Sequence, residues 1–349
     1  MYQIPEKLKN LEIYQPITES YRVRLDANES FLDLPDSIRK EVAEAVAAIE
    51  FNRYPDPTAK ELCEKFGAFY QVKPEFLTAG NGSDELISII TQNFLDKGDT
   101  VLTVMPDFSM YGFYAKCVGA KVAAIQKEED MAVSAEDMIR QAKETGAKMI
   151  IFSNPCNPTS LLADRNDILT VIEQVDALVV VDEAYMEFAE GSVLDEIEKY
   201  DNLIVLKTFS KAFGMAAVRL GFAAANKTLT SILKAMKSPY NVNSMTQAAG
   251  CVILNHPEYL RDCIEKIRCS RTDLYKKIMK LAATKTEIRK VYATCANFVY
   301  MKTERAGEIF DGLRKKGISI RYMSGYLRAA AGSEQENEEL MQALGELLK

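Results

Sequence analysis

A lysine, two hydroxyl side chains and an arginine lie close together in the stretch KTFSKAFGMAAVRLGF, residues 207–222. Thr208, Ser210 and Lys211 follow directly on the apolar run LIVLK, and Arg219 comes shortly after them. A lysine amine can act as a nucleophile, while hydroxyl groups and a guanidinium can bind an anion beside it. The alternative is purely structural, in which a strand ends and a polar loop leads into a helix. This stretch alone leaves both interpretations open.

The composition is that of a globular protein. The chain has 349 residues, of which 48% are hydrophobic and 27% charged, and its formal net charge is −7. This length predicts a large domain plus a smaller one, and the mild acidity disfavours nucleic acid or an anionic membrane as partner. No apolar run approaches the roughly 20 residues that span a bilayer, and the N-terminus lacks the apolar core of a signal peptide. We therefore expect a cytoplasmic protein.

Histidine and cysteine usage narrows the chemistry. His256 is the only histidine, and the seven cysteines are scattered without a CxxC pair. We therefore expect no metal site, no disulfide framework and no histidine-based catalytic triad. Lysine becomes the main candidate for acid–base work.

Short β-rich apolar runs alternate with helical patterns and predict an α/β fold with a mainly parallel seven-stranded sheet. After about residue 245, a long amphipathic helix and shorter strands predict a smaller α+β domain. We assign residues 1–44 to an N-terminal arm with part of the small domain, 45–245 to the large domain and 246–349 to the small C-terminal domain. The apolar runs are 76–79, 101–104, 121–125, 149–152, 178–181, 203–207 and 218–224.

Ligands of such sheets bind at the carboxyl ends of the strands, so the residues after each run are candidates for a site. GNGSDE follows the first run, and Gly82, Ser83 and Asp84 could form a phosphate cup at a helix start. A plain glycine turn with a helix cap explains the same residues equally well. GNGSDE fails as a dinucleotide fingerprint, because Glu85 stands where the third glycine is required.

Other strand ends carry an aromatic ring, an amide and a carboxylate. Phe108 in MPDFSMYGFY could stack on a planar ligand, and Asn157 in SNPCNPTS could donate hydrogen bonds from a loop with two Asn-Pro steps. Asp182 in DEAYMEF would be buried and would need a positive partner, and Tyr185 could reach the same ligand. The structural alternatives are a domain-seam aromatic, a turn and a helix cap.

Together these groups describe one ligand. A phosphate, a planar ring, a ring nitrogen that needs a carboxylate, a phenolic oxygen and an aldehyde that needs a lysine are the parts of pyridoxal phosphate.

Eight motifs run in one order over nearly the whole chain: RLDANES, RYPDP, GNGSDE, NPCNPTS, DEAYMEF, TFSKAFGMAAVRLGF, SPYNVNSMTQAA and YLRAAAG. In these motifs the sequence resembles the histidinol-phosphate aminotransferases, a branch of the fold-type-I, class I/II pyridoxal-phosphate-dependent aminotransferases. The resemblance implies the fold of those transferases and transamination of L-histidinol phosphate with 2-oxoglutarate in histidine biosynthesis. The lysine motif and DEAY mark the superfamily, whereas LDANE, RYPDP and PYNVN indicate the branch.

The resemblance also implies roles for the cofactor site. Lys211 would carry the cofactor as a Schiff base and shuttle the proton, and Asp182 would keep the pyridine nitrogen protonated. Asn157 and Tyr185 would bind the phenolic oxygen, and Phe108 would stack on the ring where the family more often has tyrosine. The phosphate would be surrounded by Gly82, Ser83, Asp84, Thr208, Ser210 and Arg219.

Further roles follow for the subunit interface and the substrate. Tyr54 would reach the cofactor phosphate of the neighbouring subunit, which implies a homodimer with shared active sites. Arg328 in YLRAAAG would bind the substrate phosphate and then the carboxylate of glutamate, a task that suits its bidentate fork. Tyr14, Asn28 and Arg321 are further candidates for the substrate pocket.

Departures from the family leave the substrate open. Cys156 and Ser160 replace the usual asparagine and glycine, and the loop between Arg321 and Arg328 is shorter than usual. Alternatives are another aminotransferase that acts on aromatic amino acids, a threonine-phosphate decarboxylase and a non-catalytic pyridoxal-phosphate-binding regulatory domain. LDANES with RYPDP favours the transaminase over the decarboxylase, and the acidic composition disfavours a DNA-binding regulator.

Overall fold

The structure is a computed structural model that describes residues 2, 3, 17 and 19–348, so Tyr14 lies outside the described residues. The strands found in the described residues are β1 (Val23–Arg24), β2 (Leu77–Gly80), β3 (Thr100–Met105), β4 (Lys121–Gln126), β5 (Ala147–Ser153), β6 (Leu178–Asp182), β7 (Leu203–Thr208), β8 (Gly221–Ala225), β9 (Ile288–Val291), β10 (Phe298–Thr303), β11 (Ile318–Ser319), β12 (Arg321–Met323) and β13 (Tyr326–Ala330). The helices are α1 (Asp36–Ala47), α2 (Lys60–Tyr70), α3 (Ser83–Asn93), α4 (Met110–Val118), α5 (Ala135–Thr145), α6 (Arg165–Gln174), α7 (Lys227–Met236), α8 (Ser244–Leu254), α9 (Pro257–Ala282), α10 (Ala306–Lys315) and α11 (Glu334–Leu347).

All seven predicted apolar runs form strands of one sheet, in the order β2-β8-β7-β6-β5-β3-β4. The pairs among β3, β4, β5, β6 and β7 are parallel, whereas β8 runs antiparallel to both β7 and β2. The central strands β6 and β7 are buried almost throughout, as expected for strands covered on both faces. The predicted α/β fold with a mainly parallel seven-stranded sheet is confirmed.

The sheet brings several chain segments to one edge. The carboxyl ends of the parallel strands β5, β6 and β7 lie side by side, with Ser153 opposite Asp182 and Asp182 opposite Leu206. Since β2 and β7 are both antiparallel to β8, they run in the same direction. The start of α3, which follows β2, therefore lies at the same edge as Thr208, the last residue of β7.

A second sheet, β12-β13-β10-β9, is antiparallel and lies in the C-terminal part of the chain, with α9, α10 and α11 around it. The N-terminal strand β1 pairs with β11, so that Val23 lies opposite Ile318. Sequence patterns gave no strand before residue 45, because a two-residue strand is too short to show alternation. The pairing joins residues 23–24 to the C-terminal part of the chain, and the domain boundaries stay a prediction.

A buried ion cluster lies beside the end of β6. Lys207 Nζ lies 2.9 Å from Glu183 Oε2 and 3.0 Å from Glu187 Oε1, and Tyr70 donates its hydroxyl hydrogen to Glu187 at 2.8 Å. Burial opposes the charge on Lys207, but the two carboxylates outweigh it and raise the lysine pKa. The cluster fixes the turn after Asp182, because Glu183 also accepts the backbone N–H of Val193.

Replacing Lys207 with methionine should lower the free energy of unfolding by about 3–5 kcal/mol, because two buried carboxylates would lose their cation. Urea denaturation of the cofactor-free protein at fixed concentration would measure the loss. Lys73→Met is the matched control: it removes an exposed lysine from its 3.0 Å pair with Glu198 and should cost less than about 1 kcal/mol. Equal losses in the two variants would contradict the prediction.

Candidate active site

The lysine predicted as nucleophile lies just beyond β7. Lys211 is partly buried, and its Nζ donates a hydrogen bond to the backbone carbonyl of Ala27 at 2.9 Å. Burial lowers the pKa of Lys211 to about 8, and the nearby guanidinium groups of Arg328 and Arg219 act in the same direction. About a tenth of the amine is therefore neutral at pH 7, far more than for an ordinary lysine, and the neutral form is the one that attacks a carbonyl carbon.

Asp182 is a buried carboxylate at the last position of β6. Its Oδ1 accepts the backbone N–H of Ala184 at 3.1 Å, and its Oδ2 accepts the hydroxyl hydrogen of Tyr111 at 2.8 Å. Burial raises the pKa of Asp182 to about 6, and the hydrogen bond from Tyr111 opposes this rise. The group is mainly ionised at neutral pH and can hold a proton on a basic ring nitrogen.

Asn28, Tyr185, Asn157 and Arg328 form two hydrogen-bonded pairs. Asn28 Nδ2 donates to the Tyr185 hydroxyl at 2.9 Å, while the buried Asn28 Oδ1 has no hydrogen-bond partner in the described part of the chain. Arg328 donates from Nη1 to Asn157 Oδ1 and from Nη2 to the carbonyl of Asp26, the latter at 2.7 Å. The Nδ2 group of Asn157 therefore remains the donor that could bind a phenolic oxygen.

Residues 25–28 link the two sheets at this site. The carbonyl of Leu25 accepts the N–H of Ala330, and the carbonyl of Asn28 accepts the side chain of Asn297. On the other side, the same segment receives the hydrogen bond from Lys211 at the Ala27 carbonyl. The segment thus touches the lysine while it is attached to the C-terminal sheet.

The start of α3 faces Arg219 and the β7–β8 end of the sheet. Gly82 has φ 83°, and a Cβ there would come within 2.7 Å of Arg219 Nη2. A Cβ on Gly221 would come within 2.4 Å of the backbone nitrogen of Ser83. Only glycine therefore lets the backbone and the guanidinium approach this closely.

The same corner carries hydrogen-bond donors for an anion. Arg219 Nη1 donates to Ser210 Oγ at 3.3 Å, and Thr208 Oγ1 lies 3.1 Å from Ser210 Oγ. No side chain among the described residues caps α3, so the N–H groups of its first turn are available to a ligand. Asp84 is held at Oδ2 by the Tyr114 hydroxyl at 2.8 Å, and its Oδ1 is buried without a partner in the described chain.

Pyridoxal phosphate fits these groups. The uncapped helix start beside Arg219 suits its phosphate, the buried Asp182 suits its pyridine nitrogen and the partly neutral Lys211 suits its aldehyde. Phe108 follows β3 and packs edge-on against Tyr111, with ring centroids 5.5 Å apart.

Two further predicted residues, Tyr54 and Arg321, lie on the surface of the chain and on the C-terminal sheet, respectively. Tyr54 is 80% exposed and stacks on Tyr240, with ring centroids 4.4 Å apart, so it is not part of the pocket of its own chain. Arg321 lies on β12 directly opposite Arg328 on β13. Tyr14 lies outside the described residues.

Three polar residues near the site were not identified from the sequence. Tyr111 donates to Asp182, and Asp107 accepts from both the backbone N–H and the hydroxyl of Ser153. Tyr111 follows Phe108 by three residues at the start of α4, and this spacing was a usable signal. The link between Asp107 and Ser153 had no signal, because it joins segments distant in sequence.

No group of three histidine, cysteine, aspartate or glutamate side chains within the described residues is arranged to hold a metal ion. In the same residues, no helix is both long and apolar enough to cross a membrane.

Comparison with known proteins identifies the family. The sequence matches the family "Aminotransferase class I and II" over residues 22–344. The histidinol-phosphate aminotransferase of Clostridium novyi (strain NT) is 42% identical over 342 residues, covering 97% of this chain and 95% of that protein. The enzyme of the same name from Pyrococcus furiosus is 36% identical over 348 residues, covering 99% and 98%.

A solved structure shows the same fold. The crystal structure of histidinol-phosphate aminotransferase from Sinorhizobium meliloti in complex with pyridoxal-5'-phosphate aligns with a TM-score of 0.89 and 20% identity, covering 100% of this chain and 98% of that chain. The chain therefore belongs to the class I and II aminotransferases, whose fold is that of the fold-type-I pyridoxal-phosphate enzymes. Within this class it belongs to the histidinol-phosphate aminotransferase family, as the sequence motifs predicted.

Replacing Gly221 with alanine should weaken retention of pyridoxal phosphate by at least about tenfold, because the new Cβ would displace the Ser83 N–H at the start of α3. Cofactor absorbance after dialysis would measure the loss, with circular dichroism as a check on folding. Gly307→Ala is the control, since a Cβ there meets nothing within 4 Å. Unchanged retention in Gly221→Ala would count against a phosphate site at this corner.

Proposed function

We propose that this protein transfers the amino group of L-histidinol phosphate to 2-oxoglutarate, a step of histidine biosynthesis, with pyridoxal phosphate at the site described above. Full-length similarity to enzymes of that name supports the reaction. The observation that carries the proposal is the convergence, at one sheet edge, of Lys211 with a lowered pKa, the buried Asp182 and an uncapped helix start.

The site residues have separate tasks in this proposal. When bound, pyridoxal phosphate supplies an aldehyde that exchanges amino groups and a ring that withdraws electrons from the carbon bearing the substrate's amine. Asp182 holds a proton on the ring nitrogen, and Lys211 Nζ in its neutral form takes and returns the substrate proton. Asn157 and Tyr185 orient the ring through its phenolic oxygen, and Phe108 packs on its face.

The phosphate of the cofactor is bound by neutral donors and one cation. These are the backbone N–H groups from Gly82 to Asp84, the hydroxyl groups of Thr208 and Ser210, and the guanidinium of Arg219. The Asp84 carboxylate is not proposed as a ligand of the anion, because it carries no donor for a phosphate oxygen and its Oδ2 already accepts the Tyr114 hydroxyl hydrogen. Asp84 therefore contributes its backbone N–H rather than its side chain.

Arg328 and Arg321 are proposed to bind the anionic groups of both substrates. They lie opposite each other on β13 and β12, and Arg328 is buried with its guanidinium 5.2 Å from the Phe298 ring. Both substrates carry an anion, a phosphate in one and a distal carboxylate in the other, so one pair of cations can serve both half-reactions. Asn28, whose Oδ1 is buried without a partner in the described chain, would accept a hydrogen bond in the same pocket.

We also propose a homodimer with shared active sites, located in the cytoplasm. Tyr54 and Tyr240 form an aromatic stack that is 80% and 44% exposed in the single chain, and aromatic surface of this kind is typical of subunit interfaces. Tyr54 would reach the cofactor phosphate of the second subunit from this surface. Seven cysteines without a disulfide support a reducing compartment.

An absorbance scan tests the reaction. L-Histidinol phosphate added without oxo acid to the cofactor-loaded protein should convert the band of the lysine-bound cofactor fully into that of the aminated cofactor, and 2-oxoglutarate should restore it. Lys211→Ala should show neither the starting band nor the cycle, because it lacks the amine. A spectrum that responds only to an aromatic amino acid or to threonine phosphate would replace the proposed substrate.

The pH dependence of cofactor capture tests the role of Lys211. Since burial lowers its pKa to about 8, the neutral fraction of the amine rises about tenfold per pH unit below pH 8 and levels off above it. The rate of band formation after mixing with pyridoxal phosphate should follow this curve, whereas the rate for α-acetyl-lysine, an ordinary amine, should keep rising in the same buffers up to about pH 10. A rate for the protein that rises in parallel with that of α-acetyl-lysine between pH 8 and pH 10 would contradict the lowered pKa.

A further inference from the structure

Among the described residues, Tyr111 is the side chain that donates a hydrogen bond to Asp182. It lies on α4, is 0% exposed, and its hydroxyl is 2.8 Å from Asp182 Oδ2. The backbone N–H of Ala184 binds the other oxygen at 3.1 Å. Two donors on two different elements therefore fix the carboxylate plane, and each oxygen keeps a lone pair for a third donor.

Apart from the two donors, most of the surroundings of Asp182 disfavour its negative charge. Burial is the largest influence, and the carboxylates of Asp107, before α4, and Asp84, on α3, act in the same direction. Lys211, which also faces Asp182, is largely protonated at neutral pH but loses its charge as the pH passes about 8. The phenol of Tyr185 faces Asp182 as well and is neutral at these pH values, because burial raises its pKa. Tyr111 is thus the main group that compensates for burial of the carboxylate.

We propose that Tyr111 is a positioning residue, whose hydroxyl holds Asp182 in its ionised form and orients it toward the ring nitrogen of the cofactor. The proposal rests on the proposed function, because it assigns Asp182 to that nitrogen. The hydroxyl of Tyr111 stays protonated throughout, since burial and the nearby carboxylate raise its pKa well above the ordinary value. It therefore acts as a permanent donor and takes no part in proton transfer.

The position of Tyr111 also couples it to the proposed stacking residue. Phe108 lies just before α4, three residues ahead of Tyr111, and the two rings touch edge-on. The start of α4 would thereby hold both the ring face and, through Asp182, the ring nitrogen. A substitution that removes only the hydroxyl separates these two tasks, because phenylalanine keeps the aromatic contact.

The test is the pH dependence of cofactor affinity in the cofactor-free protein, measured by absorbance titration with pyridoxal phosphate between about pH 5 and pH 8.5. Affinity should rise with pH as Asp182 ionises. In Tyr111→Phe the midpoint of this rise should move up by about one pH unit, because a hydrogen bond to a charged group is lost. Affinity should fall about tenfold below the midpoint and by less than about threefold above it.

Tyr292→Phe is the matched control. Tyr292 is equally a buried tyrosine, 2% exposed, whose hydroxyl donates to the carbonyl of Glu129 at 3.1 Å, away from Asp182. Its midpoint should remain that of the unsubstituted protein. An unmoved midpoint in Tyr111→Phe, an equal shift in Tyr292→Phe, or an equal loss of affinity at every pH would overturn the inference.

A second pair of variants tests whether Tyr111 acts through Asp182 and not through a general folding defect. In Asp182→Asn the side chain no longer ionises, so the further change Tyr111→Phe should leave the pH profile of that variant unmoved. A shift that persists there would mean that Tyr111 acts through another group, and the inference would fail. If the unsubstituted protein binds no pyridoxal phosphate, both the proposed function and this inference fail; if it binds and only the midpoint is unmoved, the inference fails alone.

Discussion

The site depends on a carboxylate that the fold buries. Asp182 ends the apolar strand β6, which lies between the strands β5 and β7. A negative charge in that position is unfavourable unless it is compensated. Its nearest donors belong to α4 and to the turn after β6, so the sheet, the helix and the turn must all be in place before the charge is tolerated. In the proposed function a positively charged ring nitrogen would supply the remaining compensation, which would make cofactor binding and folding of this edge interdependent.

The fold was largely predictable because strands buried on both faces appear in the sequence as uninterrupted apolar runs. Runs such as MIIF and LVVV admit few other interpretations between amphipathic helices, and each became a central strand. The antiparallel direction of β8 was not predictable, since an apolar run carries no information on strand polarity. The strand β1 was missed because two residues show no period.

The candidate site was predictable where chemistry follows directly on a strand. Lys211, Asp182 and Asn157 lie within a few residues of strand ends, and a parallel sheet gathers such ends at one edge. The hydrogen-bond partners of these residues were harder to predict from the sequence. Tyr111 lies inside a helix and reaches Asp182 across 71 positions, and Ser153 is linked to Asp107 across 46. Such contacts depend on how helices pack on the sheet, which local patterns do not encode.

Residues 25–28, which link the two sheets, connect the position of the C-terminal sheet to the hydrogen bonding of the Lys211 amine. The segment is attached through Leu25 and Asn28 to the C-terminal sheet, yet Ala27 accepts the hydrogen bond of the lysine amine. Any rigid swing of that sheet away from the large one would pull the acceptor off Nζ, and a return swing would restore it. The reactivity of the amine would therefore change with any displacement of the C-terminal sheet relative to the large one.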